Sequence, residues 1–174
     1  MTDTLTELKI REYHSNDYDC VCNLMDSLQM HFVQVDSMKE SRRFSSKEEA
    51  RTYIDQGMKD VKEMNGACFV AEIRSEVIGF IQGIVTDHAN EVMHNLGHKP
   101  GIDGWIGLLI VDSKYRGRGI GKKLIERIKH YFQEKKCSSI RFKVMVDNSD
   151  RVKMYEKIGF RPREMEMVYQ LHEE

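Results

Sequence analysis

A chain of 174 residues, 40% hydrophobic and 32% charged, has apolar mass for one packed core and enough charge to stay in water. Its net charge of -1 and pI near 6.7 argue against a protein built to grip nucleic acid, which needs a surplus of Lys and Arg. No apolar run approaches the roughly 20 residues of a membrane span, so no membrane partner is expected.

The opening residues, Met1 to Glu7, lack a basic segment followed by an apolar stretch, and no secretory leader is expected. Leu8 to Tyr13 alternates and predicts a first strand. Asp17 opens a helical stretch with apolar positions at Val21, Leu24, Met25 and Leu28, running on to Phe32. Residues 41–46 are polar and loop-like. Ser46 with Glu49 three residues on has the form of a capping box, and predicts a second helix through Tyr53, Ile54, Met58 and Val61, ended by Gly66.

Residues 67–73 and 77–85 are apolar strand candidates joined by Arg74, Ser75 and Glu76, a hairpin. Residues 86–101 are polar and His-rich and read as a long loop. His94 and His98 share a metal-like spacing, but the stretch is bounded by Gly97 and Pro100. A solvated loop shaping a pocket is the plainer reading, and no metal is expected.

Trp105 to Val111 is a continuous apolar run, the signature of a strand covered on both faces. Ile120, Leu124, Ile125, Ile128, Tyr131 and Phe132 recur at helical spacing. Residues 140–146 alternate as a strand, 148–158 form a short amphipathic helix closed by Gly159, and 163–171 read as a last strand. With no internal repeat and no linker, residues 1–174 read as a single domain of α/β or α+β class. Four scattered cysteines at 20, 22, 68 and 137 read as reduced thiols in a cytoplasmic protein. A reactive Cys68 or Cys137 is the less economical alternative to cysteines packed as small hydrophobes.

The informative stretch lies between the most apolar strand and the best helix: Arg116, Gly117, Arg118, Gly119, Ile120, Gly121 and Lys122. Glycines there let the backbone approach a ligand closely. The first amides of a helix have no intrahelical partner, and the helix dipole favours an anion at that end. The turn is thus suited to a phosphate or pyrophosphate, with positive charge from Arg116, Arg118, Lys122 and Lys123. A tight strand-to-helix turn without a ligand explains the same glycines. Neither the dinucleotide fingerprint nor the nucleotide P-loop fits: the spacing is Gly-x-Gly-x-Gly, and Gly121-Lys122 is followed by Lys123.

Arg116, Gly119 and Gly121 match the Arg/Gln-x-x-Gly-x-Gly/Ala motif of the Gcn5-related N-acetyltransferase (GNAT) superfamily, which the chain resembles. Downstream, Asn148, Tyr155 and the run Glu156-Lys-Ile-Gly159-Phe160 resemble its second signature, so the resemblance covers residues 67–170. It implies a single mixed, mostly antiparallel sheet flanked by helices, and transfer of an acetyl group from acetyl-CoA to an amine acceptor.

Residue by residue, the resemblance implies that backbone groups of Leu109, Ile110 and Val111 pair with the pantetheine arm. Amides from Arg116 to Lys122 wrap the pyrophosphate, and Asn148, otherwise a helix N-cap, bonds near the pantetheine. Tyr155, otherwise a core tyrosine, is the general acid for the departing thiolate. The family often carries a carboxylate on the central strand as base, but residues 105–111 have none and Gly107 stands near the expected position. Asp103 is the first substitute, with Asp87, His88 and Glu91 behind it, and a water chain serving equally. A coenzyme-binding regulatory module without turnover is the alternative to an enzyme. A nucleic-acid-binding domain is disfavoured by the charge, and a homodimer is left open.

Overall fold

Five strands make one sheet in a computed structural model that describes residues 7–87, 101–169 and 171. They are β1 (Lys9–Glu12), β2 (Ala67–Ile73), β3 (Glu76–Asp87), β4 (Ile102–Val111) and β5 (Ser139–Arg141), in that spatial order. The first three pairings are antiparallel and β4 with β5 is parallel, so the sheet is mixed and mostly antiparallel. Three helices belong with it: α1 (Tyr18–Val35), α2 (Lys47–Glu63) and α3 (Ile120–Glu134). A fourth, α4 (Ser149–Lys157), lies in a second compact unit that begins at Val144.

The apolar periodicities explain the layers. Val21, Leu24, Met25 and Leu28 of α1 and Ile54 of α2 pack with Val70, Phe80, Leu108 and Ile110 of the strands. On the other face α3 comes unusually close, because glycines stand under it. A Cβ at Gly83 would lie 2.6 Å from the Phe132 ring and 2.7 Å from Ile128 Cδ1, and one at Gly104 would lie 2.5 Å from Phe132. Phe132 is 1% exposed and has nowhere to swing. Gly104→Ala is therefore expected to destabilise by about 1–3 kcal/mol through overpacking, read as a lowered midpoint in thermal denaturation.

Local chemistry sets the element ends. Ser46 Oγ accepts from the Glu49 amide at 3.3 Å, as the capping box predicts, but the Glu49 carboxylate reaches past Ser46 to the Ser45 amide at 2.7 Å. Gly66 is not the left-handed residue that ends α2; Asn65 is, at φ 47°. Gly66 is needed for close approach, since a Cβ there would sit 2.4 Å from the Gly83 carbonyl oxygen. The hairpin between β2 and β3 turns on two residues, Arg74 and Ser75, whose φ values of 50° and 66° have the sign that a primed turn requires.

Asp17 is the N-cap of α1 without capping it through its side chain. Its carboxylate accepts two bonds from the Arg11 guanidinium, at 2.7 and 2.8 Å, and one from the His14 amide at 2.8 Å. The Arg11 bonds hold the Asp17 carboxyl below its ordinary range, against the opposing effect of burial. A carboxyl so depressed contributes stability above its unfolded pKa and loses it as pH falls through the lower folded value. Asp17→Asn is expected to cost about 1.5–3 kcal/mol at pH 7. The gap from wild type should narrow progressively in denaturant melts taken below pH 4, a flat difference contradicting the assignment.

Two expectations need correction. The strand over residues 140–146 shrinks to Ser139–Arg141, because β4 leaves the register. Gln82 pairs with Leu108 and Gly83 with Ile106, so Gly107 is an extra residue that bends β4 just past the last β5 pairing, Trp105 with Arg141. Residues 161–169 form no strand either; Met165, Met167 and Tyr169 are 71%, 84% and 86% exposed. Alternation specifies a face, but a strand also needs a partner ladder. The helix over 148–158 is found as α4, with Asn148 at its N-cap and Gly159 left-handed at φ 98°.

Candidate functional site

The bulge at Gly107 shapes the first half of the site. Beyond Trp105, β4 has no strand partner on its β5 side among the described residues, which leaves main-chain groups along the second half of that edge. Nor is the strand covered on both faces throughout: Trp105 and Leu109 are half-buried and Gly107 is exposed. An extended ligand of peptide-like chemistry can add to such an edge. The Val111 carbonyl is already taken by Arg116 Nε at 3.1 Å; the Asp112 amide bonds Ile78 across the ladder, so by alternation Ile110, opposite Phe80, faces β3, and Leu109 faces the open edge with the Val111 amide.

The turn into α3 forms the second half. Asp112 Oδ1 accepts from the Lys114 amide at 2.8 Å and caps a single 3-10 turn, Ser113–Tyr115. Gly117 and Gly119 then take φ of 76° and 77°. Gly119 is the N-cap of α3 and has no side chain to bond the first amides, so those of Ile120, Gly121 and Lys122 keep free donors. A Cβ at Gly117 or Gly119 would meet nothing within 4 Å. Positive φ explains the glycines as turn formers, while crowding by the chain itself does not; the space beside them is open.

Arg116 ties the turn to the end of β4, and Arg118 donates to the Lys114 carbonyl at 3.3 Å while lying over the Tyr115 ring. Lys122 stands 3.9 Å from Glu126. These contacts hold both arginines against their own loop.

Asp103, on β4, is 7% exposed and accepts three side-chain hydrogen bonds. Oδ1 accepts from Ser138 Oγ at 3.1 Å and Ser139 Oγ at 2.7 Å, and Oδ2 accepts from Arg141 Nε at 2.8 Å. Burial pushes its pKa up, but these donors outweigh burial and hold it below the ordinary value. These three bonds fasten β5 to β4 through an ionised carboxylate. Asp87 ends β3 at an exposed position opposite Ile102. His88, Glu91, His94 and His98 lie outside the described residues.

Asn148 and Tyr155 belong to the second unit. Asn148 is 7% exposed and accepts the Val152 amide through its carbonyl at 3.0 Å, making no side-chain cap bond. Tyr155 is buried, edge-on to Phe160 at 6.1 Å. Burial pushes its phenol above the ordinary value, partly offset by Arg151, so it holds its proton at neutral pH. Neither cysteine singled out in the sequence is poised as a thiolate: burial pushes Cys68 up to about 12 and also raises Cys137.

One polar residue escaped the sequence reading. Gln82 sits inside the apolar run of β3, 6% exposed, and its Nε2 donates to the Gly57 carbonyl of α2 at 2.9 Å. A glutamine in Val77-Ile-Gly-Phe-Ile-Gln82-Gly-Ile-Val85 was the available signal.

A family model described as "Acetyltransferase (GNAT) family" matches residues 30–160. The chain belongs to the GNAT family. Over 70 residues it is 40% identical to N-alpha-acetyltransferase 30 of Saccharomyces cerevisiae, a match covering 40% of each chain. Over 65 residues it is 40% identical to glucosamine 6-phosphate N-acetyltransferase of Trypanosoma brucei brucei, covering 37% of this chain and 42% of that one. These matches span less than half the length of either relative. An aminoglycoside N-acetyltransferase, AAC(6')-Iy, solved in complex with CoA, shares the GNAT fold: TM-score 0.69, 18% identity, 94% of this chain and 93% of that one.

Proposed function

We propose that this GNAT chain, as one catalytic domain over residues 1–174, transfers an acetyl group from acetyl-CoA directly to a primary amine. The observation that carries the reading is the uncapped start of α3, where two left-handed glycines open onto empty space beside an unpaired β4 edge. Acetyl-CoA supplies an activated carbonyl and a thiolate leaving group. The amides of Gly117 to Lys122 bind its diphosphate, and main-chain groups of Leu109 with the Val111 amide orient the pantetheine arm along the open edge. A main-chain N–H beside the Gly107 bulge polarises the carbonyl. Tyr155, kept neutral by burial, gives its proton to the departing sulfur.

With Asp103 committed to three donors, the amine loses its proton to solvent water rather than to a β4 carboxylate. The absence of a thiolate-prone cysteine favours direct attack over an acetyl-cysteine relay. Four free cysteines support a reducing, cytoplasmic setting, and no helix among the described residues is long and apolar enough to cross a membrane.

Peptide amino termini are the first acceptors to test, given the similarity to N-alpha-acetyltransferase 30; glucosamine 6-phosphate and spermidine come next. Mixing the protein with acetyl-CoA and each acceptor should release free CoA thiol only when an acceptor is present. Saturable acetyl-CoA binding with no thiol release across the panel would replace the enzyme by a coenzyme-binding regulatory module.

A further inference from the structure

Gln82 is buried and half-satisfied. The Nε2 bond to the Gly57 carbonyl fixes which way the amide points, and Oε1 then has no hydrogen-bond partner among the described residues. A buried carbonyl oxygen normally finds a donor, so this one is poised for a donor that arrives with a ligand.

Its surroundings show from which side. Two glycines border the amide. A Cβ at Gly57 would lie 2.8 Å from Oε1, which explains a glycine in the middle of α2, where it is otherwise unfavourable. Gly107, the exposed bulge residue, is the other border. The atoms nearest to the place where its Cβ would stand are Gln82 Oε1 at 3.8 Å and Cδ and Nε2 at 3.9 Å. The missing side chain at Gly107 therefore opens onto the Gln82 amide, at the point where β4 leaves its register.

We propose that Gln82 is a positioning residue for the acceptor: its Oε1 receives a hydrogen bond from an N–H of the incoming primary amine over Gly107. The inference rests on the acetyl-transfer reading and deepens it. An amide oxygen is not basic at neutral pH, so Gln82 takes no proton; it holds the nitrogen while water accepts the proton.

Two variants test this, with steady-state kinetics on the acceptor from the panel that wild type acetylates fastest. Gln82→Met keeps the volume and removes Oε1. Gly107→Ala places a methyl at ordinary contact distance over the amide without touching the Gly57 bond. Each should lower kcat/KM for the acceptor tenfold or more, mainly through KM, with acetyl-CoA affinity by calorimetry unchanged within twofold. The double variant should be no worse than the poorer single, because both remove one contact. A merely structural Gln82 predicts additive losses and weakened acetyl-CoA binding together. Should Gln82→Met fail to fold, Gly107→Ala alone decides. Wild-type transfer with acceptor kinetics unchanged in Gly107→Ala overturns this inference alone; no transfer by wild type overturns the function reading and this inference with it.

Discussion

Gly119→Trp is expected to abolish acetyl-CoA binding, with an affinity loss of at least about a hundredfold, while the protein still folds. The two halves of that expectation have separate causes. Gly119 has φ 77°, and a side chain there carries a backbone strain of about 1–2 kcal/mol, which lowers the melting point without unfolding the domain. A Cβ at this position meets no atom of the chain within 4 Å, so the indole has room within the protein itself. What the indole displaces is the ligand. It stands beside the first amides of α3, which no side chain caps. Calorimetry with acetyl-CoA, paired with a melting curve, separates the two effects. Gly119→Ala provides the control: it carries the same strain but blocks less, and should retain measurable binding.

Tyr155→Phe should reduce kcat by about 10²-fold or more and leave acetyl-CoA affinity near wild type, the pattern for a group that acts only as the leaving group departs. Phenylalanine preserves the edge-on packing against Phe160, so a loss of rate cannot be assigned to a loosened helix. The pH dependence adds a second signature. Burial disfavours the phenolate, so the folded pKa lies above the ordinary tyrosine value and the acid form persists through neutral and mildly basic pH. Wild-type kcat should hold through that range and fall only as Tyr155 deprotonates, and the variant should lack that limb. Unchanged kcat in Tyr155→Phe would make Tyr155 a core tyrosine.

The sequence carried what short-range chemistry writes into it. Ser46 and Glu49 announced α2, and the run from Ile120 to Phe132 announced α3 with the face that it buries. Glycines flanked by the most apolar strand and the most amphipathic helix marked the turn into α3, because no other residue takes those φ values cheaply. Properties that depend on a partner were not legible. Residues 142–146 and 163–169 alternate like strands, yet a strand needs a partner ladder, and no local pattern encodes one.

Side-chain roles divided in the same way. Asp103 looked like a spare carboxylate because Ser138, Ser139 and Arg141 lie more than thirty positions away and meet it only in the folded sheet. The bonds of Arg116 and Arg118 to main-chain carbonyls of their own loop were likewise not written in the sequence. Gln82 was overlooked inside an apolar strand, since its unpaired oxygen and the glycines beside it come from three separate elements.

The central claim is that main-chain amides at the start of α3 grip the diphosphate of the acetyl donor. A titration of nitrogen-15-labelled protein with CoA, followed by amide resonances, tests it most directly. The account predicts that the largest, saturable shifts fall on Gly117 through Lys122, with smaller ones on Leu109 and Val111, whose amides face the open edge of β4. CoA binding that leaves those amides unmoved, or no binding at millimolar CoA, would contradict it.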